Sequence, residues 1–122
     1  MYRKIFVDTS YVLALVNTSD ELHPKAKILK NLTVQANLVI TTEAILLEIG
    51  NAPSKPIFRQ KCTAIIKGFY ETENIKVIPV TTALIKEGLE FFDKRNDKEW
   101  GLVDCISFIV MERYGVKHAL AA

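Results

Sequence analysis

Tyr2-Arg3-Lys4-Ile5-Phe6-Val7-Asp8-Thr9-Ser10, running on into Tyr11-Val12-Leu13-Ala14-Leu15-Val16-Asn17, decides the fold class. Tyr2 to Val7 is a short β-branched and aromatic run and reads as a strand. Ser10 to Asn17 is almost wholly apolar and reads as a buried helix, capped by Thr9 or Ser10. One acid, Asp8, stands where the strand hands over to the helix. Arg3 and Lys4 ahead of apolar residues look superficially like a secretory leader. Asp8, Thr9 and Ser10 break that apolar run after three residues, and no small-x-small cleavage site follows. A cytoplasmic protein is therefore expected.

Working outward, the same alternation repeats. A second helix begins at Asp20 or His23, with Pro24 in its first turn and Lys25, Lys27 and Lys30 outside. Leu38 to Thr41 is strand two, and Thr42 caps a helix reaching about Asn51. Pro53 and Pro56 mark its stop and the next start, and Ser54 can cap a helix running to about Glu71. Lys76 to Val80 is strand three, with Pro79 marking an end or an edge. Thr81 or Thr82 caps a helix to about Lys94, and Asn96 to Gly101 is a polar loop interrupted by Trp100. Leu102 to Tyr114 is a strongly apolar helix closed by Gly115, and Val116 to Ala121 starts strand four. Strands alternating with helices across short connections predict an α/β fold, a parallel sheet of about four strands with helices on both faces.

The 122 residues suffice for one domain, with 49% hydrophobic and 25% charged residues as in ordinary globular proteins. No stretch is long enough to span a bilayer, so no membrane partner is expected. Cys62 and Cys105 lie far apart inside helical stretches without His partners, which reads as buried thiols. A net charge of +2 neither announces nor excludes a nucleic-acid partner.

Three carboxylates sit where carboxylates are costly. Asp8 follows strand one, at the sheet edge where α/β proteins bind ligands; helix capping is an equal reading of it. Glu48 lies in Ala44-Ile45-Leu46-Leu47-Glu48-Ile49, apolar around nearly its whole circumference, which predicts a largely buried helix. An ionised Glu there costs several kcal/mol unless something positive meets it. Ala44, Asn51 and Ala52 share its face, whereas Glu43 lies about 140° away round the helix. Asp104 occupies the first turn of an otherwise core helix, with Ser107 one turn on along the same face. Good first-turn chemistry explains Asp104 on its own, but Leu102 and Val103 before it argue against an exposed start. Convergent carboxylates without Lys or His are hard oxygen ligands suited to Mg²⁺ or Mn²⁺. Such sites hydrolyse phosphodiesters through a metal-activated water.

Phe6-Val7-Asp8-Thr9-Ser10, then Thr41-Thr42-Glu43 leading to Leu47-Glu48-Ile49-Gly50-Asn51-Ala52, then Asp97-Lys98-Glu99-Trp100 followed by Leu102-Val103-Asp104-Cys105-Ile106-Ser107-Phe108, resembles a PIN domain. The likeness is greatest to VapC-type toxins and runs in order over essentially the whole chain. It implies an α/β/α sandwich and a Mg²⁺- or Mn²⁺-dependent endoribonuclease, the toxin of a toxin–antitoxin pair. It also implies a homodimer inhibited by a cognate antitoxin protein. The family's acids map onto Asp8, Glu48 and Asp104 as catalytic metal ligands, with Thr9, Ser10 and Asn51 as supporting groups.

The pattern departs in two places. Val103 stands where the family has Ser or Thr before the third acid. The run Ala119-Leu120-Ala121-Ala122 stands where the family carries a fourth acid, so the domain reads as C-terminally short, its last strand and tail truncated. Weak metal binding and poor RNA cleavage are the expectation, and the alternative is a non-catalytic PIN-fold module that binds RNA or protein.

Among lesser signals, Lys94, Arg95 and Lys98 precede the third acid and are the best candidate RNA contacts. Lys25, Lys27, Lys30, Arg59, Lys61 and Lys67 read more readily as solvated faces. Asp97 can assist metal or substrate binding, although a loop Asp needs no such role, and Trp100 reads as a packing anchor. A dehalogenase-like phosphotransferase would need an acid where Ser10 stands. A phosphoacceptor domain would need one after strand two or three, where Thr41 and Pro79 stand.

Overall fold

The computed structural model describes residues 4–53 and 55–120. Four strands, β1 (Lys4–Val7), β2 (Leu38–Thr42), β3 (Ile75–Ile78) and β4 (Ala119–Leu120), form one sheet in the order β3-β2-β1-β4. Every pairing is parallel, with Ile5 opposite Val39, Val39 opposite Ile75 and Phe6 opposite Ala119. Between the strands lie α1 (Thr9–Val16), α2 (His23–Gln35), α3 (Glu43–Asn51), α4 (Pro56–Glu71), α5 (Thr82–Lys94) and α6 (Leu102–Arg113).

β1 to β2 and β2 to β3 step in one direction across the sheet, and β3 to β4 steps back past both. Right-handed crossovers therefore set α1 to α4 on one face and α5 with α6 on the other. The helix contacts agree: α1 packs on α2 and α3, α3 on α4, and α5 on α6. The chain reverses between β1 and β4, so a crevice opens beyond their C-terminal ends. Ile5, Phe6, Val39 and Ile40 are fully buried and pack with Val12, Ile45, Ile49, Ile106 and Val110.

Boundaries differ from the sequence reading where local hydrogen bonds intervene. β3 ends at Ile78 because Pro79 has no N–H and the Val80 N–H donates to the Glu43 carboxylate, 3.1 Å away. β4 cannot begin at Val116, whose N–H closes α6 on Met111 O at 2.8 Å beside left-handed Gly115 (φ 65°). Asp8, not Thr9 or Ser10, takes the N-cap position of α1, and Leu22 precedes α2, which begins at His23. Thr42 and Thr81 cap α3 and α5 through their hydroxyls. Tyr2, Ser54 and Ala121, assigned above to strand one, a cap and strand four, lie outside the described residues. Among the described residues no helix is long and apolar enough to cross a membrane.

Candidate active site

Asp8 follows β1 directly, at the point where the chain reverses. The Thr41 hydroxyl donates to Val7 O at 3.1 Å, which locks the ends of β1 and β2 side by side. Thr42 then turns β2 into α3 by accepting from Ile45 N, 3.2 Å away, and so places Glu48 over the same end of the sheet. The far end of α6 is tied to the start of β1, since Lys4 Nζ donates to Tyr114 O at 2.8 Å. A helix of this length spans about 18 Å, so its first turn, with Asp104, stands at the C-terminal edge.

Three separate elements thus bring Asp8, Glu48 and Asp104 to one open cleft of about 490 Å³, walled also by Thr9, Leu13 and Asn51. Asp8 is half-buried. Burial pushes its carboxyl above the ordinary carboxylate range, and the negative charge of Asp104 pushes the same way. The Thr9 backbone N–H and the Ser10 hydroxyl, 3.4 Å from Asp8 Oδ2, partly oppose that. Asp104 accepts the Gly101 N–H at 3.0 Å, which fixes the start of α6. Glu48 takes the Thr9 hydroxyl.

Two premises of the sequence reading change. Glu48 is exposed, as are Leu47, Gly50 and Asn51, so α3 buries one face only and Glu48 is not on it. Thr9 reaches Glu48 and does not cap α1. Glu43, on the other side of the helix, is spent on structure, taking the Tyr70 hydroxyl and the Val80 N–H.

Ser107 is buried in α6, its hydroxyl without a hydrogen-bond partner among the described residues, and it does not line the cleft. Asp97 also lies off it, paired with Arg95, and that hydrogen bond holds its carboxyl below the ordinary range. Lys94 ends α5. Arg95 and Lys98 lie 5.2 and 5.8 Å from the Trp100 ring centre, and Trp100 packs between Phe91 and Phe108. Trp100 is an anchor, and it holds two cations just ahead of the helix that carries Asp104.

The cleft offers oxygen donors, and among the described residues no cation lines it. Among the described residues the ion pairs are Arg95–Asp97 and Arg113–Glu87, and neither includes a cleft acid. No three His, Cys, Asp or Glu side chains among them stand close enough to cage one ion as they lie. A hydrated Mg²⁺ or Mn²⁺ needs less, since it keeps several waters and takes one or two carboxylates. The donor set therefore fits such an ion.

A parallel 3-2-1-4 sheet with acids gathered at its C-terminal edge is the PIN arrangement, and the chain belongs to the PIN domain family, whose model matches residues 5–121. It is similar to the 23S rRNA-specific endonuclease VapC20 of Mycobacterium tuberculosis, known from two strains. The two are 30% identical over 117 residues, 96% of this chain and 87% of the relative. The crystal structure of that organism's VapC20, described as a Sarcin-Ricin loop cleaving toxin, superposes with a TM-score of 0.78 at 26% identity. The match covers 97% of this chain and 88% of that one.

Proposed function

We propose that the chain is a Mg²⁺- or Mn²⁺-dependent endoribonuclease, the toxin of a toxin–antitoxin pair, working in the cytoplasm. The observation that carries this reading is the cleft itself: three carboxylates from three elements, with no cationic partner among the described residues. Its kinship to an rRNA endonuclease supports the choice of RNA.

Asp8, Glu48 and Asp104 are the residues that would hold the ion, one or two of them directly and the rest through its waters. Bound there, it supplies an activated water and neutralises charge on the leaving oxygen. The protein's own part is to bring three carboxylates to one cleft without pairing them to a cation among the described residues, which leaves them open to a positive ion. Thr9 fixes Glu48, Ser10 steadies Asp8 and the Gly101 N–H steadies Asp104. Asn51 adds an amide at the wall. Asp97 and Ser107 keep only indirect parts, Asp97 by holding Arg95 and Ser107 within the packing of α6. Lys94, Arg95 and Lys98 supply positive charge for the RNA backbone beside the cleft.

Ile85, Leu89 and Phe92 are exposed along one stripe of α5, a surface suited to a second copy. Phe69 and Phe91 are half-buried in packing and do not join that surface. The antitoxin is the partner that would silence the cleft.

The test is cleavage of ribosomal RNA by the full chain with Mg²⁺ or Mn²⁺, with and without EDTA. Weak cleavage that EDTA stops and Asp104→Asn abolishes is the expected result. RNA binding with no cleavage under any metal would select the non-catalytic module.

A further inference from the structure

The cleft does not stop at its far wall. Leu13 and Ala52, which bound it, also bound a second hollow of about 340 Å³. That hollow lies between the end of α1, the turn after α3 and the first turns of α4. Phe58 and Pro53 give it an apolar side, and Asn17 and Asp20 a polar one.

Both polar side chains are held in place by their own turn. Asn17 Oδ1 accepts Ser19 N at 3.0 Å and Asp20 Oδ1 accepts Leu22 N at 2.8 Å. Among the described residues the Asn17 amide N–H and the second Asp20 oxygen have no partner, one donor and one acceptor. Lys61 Nζ stands 5.7 Å from the centre of the Phe58 ring.

We propose that this hollow is a nucleobase subsite, taking an unpaired base of the RNA strand whose phosphate lies at the acidic cleft. The inference rests on the ribonuclease reading and adds to it the recognition of a base. Single-stranded RNA is recognised by stacking splayed bases on aromatic rings and bonding their Watson–Crick edges. Every base carries a donor beside an acceptor on that edge, which the Asn17 and Asp20 pair complements. Shared walls put the hollow next to the reacting phosphate, and Lys61 is placed for the following phosphate.

The experiment is an NMR titration of the full-length chain in Mg²⁺ with the four nucleoside 5′-monophosphates and with ribose 5-phosphate. The nucleotides are expected to shift the Asn17 side-chain amide and the Phe58 ring, and ribose 5-phosphate to shift only signals around Asp8. Asn17→Asp and Asp20→Asn each keep the oxygen that caps the turn, so both variants should fold. Made together they exchange donor for acceptor and should reorder the affinities of the four nucleotides. Phe58→Ala should weaken all four about ten-fold, the scale of one lost base stack. Absent or base-independent shifts at Asn17 and Phe58, or an unchanged order in the double variant, overturn the subsite. RNA cleavage alongside that result leaves the nuclease standing, whereas base-dependent shifts without cleavage keep the subsite and remove the nuclease.

Discussion

The α5–α6 flank and the cleft at the end of β1 treat charge in opposite ways. On the flank Arg113 meets Glu87, Arg95 meets Asp97, and Arg95 and Lys98 cover Trp100. In the cleft Asp8, Glu48 and Asp104 meet hydroxyls, an amide and one another. On the flank the two arginines meet acids of the same chain, whereas no cation among the described residues pairs with the acids of the cleft. Asp104 is held by the Gly101 N–H at the start of α6, near enough to Asp8 for its charge to push that carboxyl further up. Uncompensated charge is thus a mark of the site that composition does not carry.

The contrast breaks most sharply at the acids. Asp8→Asn and Asp104→Asn are each expected to lower RNA cleavage roughly 1,000-fold, which is about 4 kcal/mol of transition-state stabilisation. Neutralising Glu87 on the flank as Glu87→Gln should leave cleavage unchanged in the same assay. A comparable loss from Glu87→Gln would erase the distinction.

Packing supplies the next effect. A Cβ on Gly88 would lie 2.7 Å from Ile106 Cγ1, so α5 and α6 approach closely only because that position has no side chain. Gly88→Ala should cost about 1–3 kcal/mol, the range for overpacking a tight contact, read as a shift in urea midpoint. An unchanged midpoint would mean that the helices separate freely.

Thr9 gives a smaller and more specific effect. Thr9→Val frees the Glu48 carboxylate and should weaken Mn²⁺ binding about 10–100-fold, as loss of an outer-shell partner does. Thr9→Ser should restore it. Equal binding by all three forms would remove Thr9 from the site.

The smallest effect is one of sign. Asp8 has its pKa raised on folding, so the folded apo form binds its proton more tightly than the unfolded chain. That contribution favours folding at low pH and fades as pH rises through the carboxylate range. Without metal, Asp8→Asn should therefore raise the thermal midpoint at neutral pH, with no gain at acid pH. A lower midpoint at neutral pH would show that the Asp8 charge is stabilising.

Much of the fold was legible because strand and helix periods alternate cleanly from Ile5 to Val110. Asp8 and Asp104 stood out as single acids beside apolar runs. Glu48 was singled out on a premise the structure does not keep. Leu47 is as solvent-facing as its neighbour, and an apolar run alone does not reveal which side of a short helix faces the core. What marks Glu48 is its contact with Thr9, a long-range bond that no spacing shows. The hollow beside Phe58 was illegible for the same reason: Asn17 and Phe58 belong to different helices, and only the crossovers bring them together. Asp97, offered above as an assisting group, pairs with Arg95 in the structure, a contact that its spacing does not show.

Paramagnetic broadening by Mn²⁺ tests the central claim most directly, because it reports where the ion sits without requiring any RNA. Titrated into the labelled full chain, substoichiometric Mn²⁺ should broaden the amide signals of Asp8, Thr9, Glu48, Asn51 and Asp104 first. Glu87, Glu90 and Asp93 on the flank should stay sharp, and Asp8→Asn should abolish the selective broadening. Broadening that begins on the flank, or that spreads evenly over exposed acids and survives Asp8→Asn, would contradict the claim that the cleft is the charge left open for a metal.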